Sequence, residues 1–248
     1  MEPIITRHRH EIRRRQLTVH SVSELTPHMI RIVLEGEDLA DFTSLAPDDH
    51  LKLLLDTGAE APEMRDYTPR SYDNAARRLV VDFAVHDAGP ATAWALGAAK
   101  GDTITVAGPR GSAVVAPVFD WYLLIADETG LPAMGRWVEE LPAGVQVVTL
   151  GAVPGAADEQ VFQTAASHRA HWVHRPVSEA ADPAPLLEAA RALSLPAGKG
   201  FVWIAAEAKV ARALRDHIEG EKGHPKAWIK AAGYWILGEA DASDKALS

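Results

Sequence analysis

The stretch DWYLLIAD, residues 120–127, sets six apolar residues in a row between two aspartates. A strand with one wet face alternates apolar and polar residues. An unbroken run of this kind marks a strand covered on both faces, as in a parallel sheet. Toward the C-terminus the surroundings agree. A helical pattern follows over 132–141, VQVVTLGAV (145–153) and AHWVHR (170–175) read as strands, and PAPLLEAARAL (183–193) reads as a helix with proline near its start. GFVWIAAE (200–207) is a further strand. Residues 208–219 are helical, with Val210, Leu214 and Ile218 at i, i+4, i+8, and AGYWILG (232–238) is the last strand. Strands alternating with helices predict a doubly wound α/β domain with right-handed crossovers.

Toward the N-terminus the rhythm changes to period two. In RLVVDFAVH (78–86), Leu79, Val81, Phe83 and Val85 point one way, and Val80, Asp82, Ala84 and His86 the other. HMIRIVLEG (28–36), HLKLLLDT (50–57) and DTITVAGP (102–109) also read as strands. Several short strands separated by turns suggest a small antiparallel barrel or sandwich. The boundary falls near APVFD (116–120), giving domains over 1–116 and 117–248. The basic run containing Arg7, Arg9, Arg13, Arg14 and Arg15 reads as a solvated arm, and the tail beyond Glu239 as disordered.

Composition narrows the function. The formal net charge is -9, which argues against electrostatic nucleic-acid binding, so an anionic ligand needs a local basic patch. The chain has 0 cysteines, which excludes disulfides, thiolate metal sites, cysteine-ligated clusters and a cysteine nucleophile. No apolar run reaches the ~18 residues of a membrane span. No signal-peptide pattern follows the basic start. A cytoplasmic monomer is expected.

Two stretches carry unusual chemistry. RDYTPRSYD (65–73) packs arginines, tyrosines, a threonine and a proline between ordinary strands. Arg65 and Tyr67 share a face of an extended segment: one could meet a phosphate with its fork, the other lie against a flat ring. Thr68 could serve the ring edge, and Arg70 either reaches the ligand or braces the strand. HDAGPATAW (86–94) places a Gly-Pro turn before a helix-prone run. Gly89 allows close approach, Pro90 suits the first helical turn, and Ala91 and Thr92 would offer N–H groups and a hydroxyl to an anion. Asp82 and His86 end the preceding strand on its polar face, with His86 in reach of the same anion. Taken alone, the first stretch also fits a plain edge strand and the second a plain strand-to-helix connection.

Together the blocks are more specific. Arg-x-Tyr-Thr-x-Arg, then His-x-x-Gly-Pro-Ala-Thr-x-Trp-Ala, then Ala-Gly-Pro-Arg-Gly resemble the siderophore-interacting protein family of flavin-dependent ferric-siderophore reductases. DETGLPAMGRWVEELP (127–142), WIAAEAKVARALRDHI (203–218) and GYWILG (233–238) are similar to later family blocks in the same order. The resemblance implies a ferredoxin-reductase-like layout, with a six-stranded flavin-binding β-barrel ahead of the α/β domain. It also implies FAD contacts from Arg65, Tyr67, Thr68, His86 and the turn from Gly89 to Thr92, with Arg70 and Asp82 as further candidates.

On this reading a flavin carries the chemistry, because it can take electrons in pairs and return them singly to Fe(III). No side-chain nucleophile is required, and no single replacement should abolish activity unless it removes FAD binding. Lys52, Arg136 and Lys230 are the candidate cations for an anionic ferric siderophore. NAD(P)H is the expected electron donor, with reduced ferredoxin as the other route. DETG at 127–130 lacks a Rossmann glycine fingerprint. Thr129 reads as a helix N-cap, and Arg175 as a candidate for a 2′-phosphate. A siderophore-binding protein without turnover and a flavin reductase with a non-iron acceptor are the competing readings.

Overall fold

Alternating side chains in the first half of the chain fold into antiparallel strands. The computed structural model describes residues 4–86, 89–245 and 247. Two compact units are present, Ile5–Val115 and a second that joins Ile4 to the chain from Ala116 onward.

The first unit contains β1 (Ile5–Arg9), β2 (Arg14–Thr26), β3 (Met29–Glu35), β4 (Leu51–Leu55), β5 (Glu63–Tyr67), β6 (Ser71–Asp73) and β7 (Arg78–Ala84). The helix α1 (Pro90–Gly97) and strands β8 (Thr103–Ala107) and β9 (Gly111–Val115) complete it. Seven strands form one sheet in the order β5-β4-β8-β2-β3-β7-β6. The expected six-stranded barrel is therefore a seven-stranded curled sheet, with β5 and β6 as its two edges rather than a closed ring. Its inner face buries Leu17, Ile32, Leu53, Leu79, Phe83 and Val106, and Ala91 and Ala95 of α1 pack into the same cluster. Each fully buried aliphatic side chain contributes about 1.5–3 kcal/mol. The arginine-rich start is not a free arm: β1 pairs antiparallel with β9, from Ile5 opposite Val115 to Arg9 opposite Gly111. Its side chains are mostly exposed, so no hydrophobic pattern announces the strand.

The second unit contains β10 (Trp121–Ala126), α2 (Leu131–Glu140), β11 (Gln146–Val153), β12 (Ser167–His174) and α3 (Ala184–Ala192). It continues with β13 (Gly200–Glu207), α4 (Ala208–Asp216) and β14 (Ile229–Trp235). The sheet order is β12-β11-β10-β13-β14, and every neighbouring pair is parallel. All of β10 is buried, as its unbroken apolar run requires. Trp121, Leu123 and Ile125 pack with Leu186 of α3 and Val210 and Leu214 of α4. On the opposite side, Tyr122 and Phe201 lie 5.8 and 6.0 Å from Trp137 of α2. Gly130 opens α2 because the helix approaches the sheet closely: a Cβ there would lie 2.7 Å from the Ala205 carbonyl oxygen.

Residues 208–219 are helical as expected, with regular α4 ending at Asp216 and Ile218 buried from the wider helical turn His217–Glu221 that follows. One local expectation is corrected: the tail is ordered in part. Asp244 and Gly233 exchange backbone hydrogen bonds of 2.8 Å each, and Leu247 joins the α/β core. Among the described residues no helix is long and apolar enough to cross a membrane.

His224 couples this core to pH. Its Nε2 lies 3.1 Å from the Gly200 carbonyl oxygen, and its ring lies 5.5 Å from Trp121 and 6.0 Å from Trp228. Burial lowers its pKa below the ordinary 6.5, against the carbonyl hydrogen bond. Above the ordinary value both folded and unfolded chains hold it neutral. As pH falls through that value, the unfolded chain takes up a proton the folded one resists, so stability falls. His168 is lowered by burial and acts in the same direction. Urea unfolding at pH values on either side of 6.5 should show an acid loss that is smaller in His224→Gln than in the unaltered chain.

Candidate functional site

The two unusual stretches meet in the first unit. An aromatic row joins them: Tyr67 of β5 lies 4.5 Å from Phe83 of β7, and Phe83 lies 5.7 Å from Trp94 of α1. Phe83 is fully buried and Tyr67 half-buried, so the row fixes the strand and helix against each other. Burial pushes the Tyr67 phenol above its usual range, with Arg65 pulling weakly the other way. The ring is therefore neutral throughout the physiological range.

Arg65 sits at the rim of this row. Its guanidinium donates to Glu63 Oε2 at 2.7 Å and to the Met64 carbonyl at 2.9 Å. Glu63 is exposed at its tip, so this partner can be exchanged for a better anion at little cost. Thr68 follows and is buried.

The second stretch forms an N-terminal helix socket. Gly89 is the N-cap of α1 in an extended conformation, Pro90 opens the helix, and the Ala93 N–H donates to the Gly89 carbonyl at 2.9 Å. The N–H groups of Ala91 and Thr92 precede that first helical bond, so no carbonyl of α1 can take them. Among the described residues, a Cβ on Gly89 would meet only His86 Cε1, at 3.7 Å. The Thr92 hydroxyl is buried and has no hydrogen-bond partner among the described residues. Asp87 and Ala88 of the same turn lie outside the described residues. An orphaned hydroxyl, two helix-start N–H groups and an exposed imidazole are the donor set that a phosphate oxygen requires.

This geometry makes a specific prediction for Thr92→Val. The swap keeps the shape and removes the orphan oxygen. The apoprotein should become more stable by about 1 kcal/mol, while FAD affinity falls severalfold. Thermal unfolding without FAD, paired with an FAD titration, reads both signs.

Other expected site residues fall differently. Asp82 is buried and paired within the sheet. Its side chain is 1% exposed and both oxygens are engaged by Arg31 at 2.7 Å. Arg70 is buried against it, with Nε 3.7 Å from Asp82 Oδ2, a position that fits the brace. Lys52 is half-buried and pairs with Asp66 at 3.1 Å, directly across β4 and β5. On the same outer face the ladder sets Ala107 between Lys52 and Arg14, so two cations flank one small residue. Arg136 is buried and bonded to Glu140 at 2.8 Å, one helical turn on, so it is not the available cation expected there. Lys230 is half-buried on β14, in register with Trp203.

In the second unit, the strand order reverses between β10 and β13, where a doubly wound sheet opens a crevice at its carboxyl ends. The protein fills that crevice with its own carboxylates. Asp127 accepts from the Thr129 N–H and hydroxyl at 2.9 and 2.6 Å, the Glu207 N–H at 2.9 Å and the Trp235 indole N–H at 2.8 Å. Thr129 thus serves Asp127, and the N-cap of α2 is Gly130. Glu207 is fully buried and caps α4 through the Lys209 and Val210 N–H groups. Arg175 is not free for a 2′-phosphate, because it forms a forked pair with Glu128 at 2.8 and 2.7 Å. Among the described residues no group of three or more His, Asp or Glu could hold a metal ion.

The first unit thus carries an antiparallel sheet with a helix-start turn beside an aromatic row, and the second a doubly wound α/β sheet. Comparison with known proteins narrows this. The family model described as Siderophore-interacting FAD-binding domain matches residues 18–62 and 56–113, and that described as Siderophore-interacting protein matches 119–238. The chain is 36% identical to the NADPH-dependent ferric-chelate reductase of Escherichia coli (strain K12), over 92% of this chain and 94% of that one. A siderophore utilization protein from T. fusca superposes with a TM-score of 0.88 at 33% identity, covering 96% of this chain and 98% of that one. The siderophore-interacting protein SipS from Aeromonas hydrophila gives 0.79 at 27% identity, covering 94% of each chain. The chain belongs to the siderophore-interacting protein family.

Proposed function

We propose that this protein catalyses the NADPH-dependent reduction of ferric siderophores through bound FAD, releasing the iron as Fe(II). The observation that carries the proposal is the buried Thr92 hydroxyl, without a partner among the described residues, beneath the Gly89-Pro90 turn. It is a polar atom prepared for a ligand oxygen. Bound FAD would supply the conversion between a two-electron hydride donor and a one-electron metal acceptor.

The protein's own residues bind and orient. Arg65 leaves Glu63 for a cofactor phosphate, while the starts of α1 and His86 take the other phosphate oxygens. Tyr67, backed by Phe83 and Trp94, offers a flat neutral surface, and Thr68 the hydrogen bonds at the ring edge. The substrate is a ferric chelate, and an anionic one calls for cations on the side of the sheet that carries Tyr67; Lys52 and Arg14 lie on the opposite face. The donor's phosphates find no glycine-rich loop at the β10–β13 crevice, because Asp127 and Glu207 occupy the local donors. NADPH, the donor in the name of the E. coli relative, is favoured over reduced ferredoxin because the chain carries a net charge of -9 and an acidic carrier would be repelled.

Anaerobic turnover tests this reading. The FAD-loaded protein is mixed with a ferric siderophore, an Fe(II) trap and either NADPH or reduced ferredoxin. Trapped Fe(II) in the NADPH arm supports the proposal. Siderophore binding with no Fe(II) from either donor would make the protein a binder instead.

A further inference from the structure

We infer that Arg31, on β3 and outside every motif, is a positioning residue that sets the geometry of the flavin site through Asp82 and Arg70. The inference rests on the flavin reading above. Arg31 stands directly opposite Asp82 in the β3–β7 ladder. Its Nε and Nη2 reach the two carboxylate oxygens of Asp82 at 2.7 Å each, a forked pair. From the other side, Arg70 Nε lies 3.7 Å from Asp82 Oδ2, while the Arg70 N–H holds the Val80 carbonyl at 2.8 Å. One carboxylate thus joins β3, β7 and the segment that leaves β5.

Its place in the chain gives the row its use. Arg70 stands just after Thr68, and Asp82 is one strand end before His86 and the Gly89 turn. The row therefore ties the ring-edge segment and the phosphate socket to a common anchor. The carboxylate is almost wholly buried, and burial at this depth demands a directional counter-charge. Lysine would supply the charge but not the fork.

The test uses the full-length apoprotein and FAD itself. Arg31→Lys keeps the charge. The double variant Arg31→Met with Asp82→Asn removes both charges of the forked pair, so no buried carboxylate is stranded, and apoprotein unfolding checks that it folds with Arg70 beside the amide. FAD dissociation constants are read by flavin fluorescence, with the visible band shape of the bound flavin and apoprotein unfolding alongside. Arg31→Lys is expected to weaken FAD binding by about tenfold, with an altered band shape and little loss of apoprotein stability. The double variant should weaken it further. Folded variants that bind FAD within about twofold of the unaltered protein, with the same spectrum, would overturn the inference while the flavin reading stands. An unaltered protein that takes up no FAD would overturn the flavin reading and this inference with it.

Discussion

Replacing Arg65 by alanine should raise the FAD dissociation constant by one to two orders of magnitude and leave the apoprotein folded. Among the described residues, Arg65 holds only Glu63, a carboxylate 42% exposed, and a neighbouring carbonyl. An exposed pair of that kind is worth at most about 1 kcal/mol, so little stability is lost. A guanidinium fork on a cofactor phosphate is worth more, because hydrogen bonds to charged groups contribute about 1.5–3 kcal/mol each. Glu63→Gln should act in the opposite direction, since it frees Arg65 from a competitor. A titration of the three proteins with FAD gives the ordering. If Arg65→Ala binds as tightly as the unaltered protein, Arg65 faces something other than the cofactor.

The second large effect is structural. Asp127→Ala should destabilise the α/β unit by about 3 kcal/mol, because a buried and a half-buried donor lose their acceptor at once. Those donors are the Glu207 N–H and the Trp235 indole, at 2.9 and 2.8 Å. They tie β10 to the ends of β13 and β14, the two strands beyond the switch point. Asp127→Asn keeps one acceptor oxygen and should lose roughly half as much. Thermal unfolding should show a fall on the order of 10 °C for the alanine variant, given about 2–4 °C per kcal/mol in a protein of this size. A shift no larger than that of an exposed-aspartate control would remove Asp127 from its role as the lock of the crevice.

Most of the architecture was legible because periodicity is local. The buried run of β10 and the alternation of β7 each declare their surroundings within eight residues or so. The strands β1 and β9 escaped because one is almost wholly exposed and the other is short and small-sided. The count of seven strands and the open edges depend on pairing between distant segments, which no local pattern encodes.

The site divides along the same line. The Gly89-Pro90 turn and Thr92 could be read directly, since helix-start chemistry is written in consecutive residues. Arg31 could not, because its partner lies 51 positions away. Arg175 and Glu128 are 47 apart, and their pairing removed a cation that the sequence left free. Arg136 is different. Glu140 stands one helical turn beyond it, a visible i,i+4 signal for an ion pair that outweighs a substrate role.

The central claim is that electrons pass from NADPH to ferric iron by way of FAD held on the antiparallel unit. The most direct measurement is an anaerobic single turnover followed in the visible flavin band. NADPH should bleach the band of the FAD-loaded protein. A ferric siderophore added afterward should restore it, with trapped Fe(II) appearing in step at two equivalents per flavin. A band that NADPH bleaches but the ferric siderophore fails to restore, with no Fe(II) formed, would contradict the account.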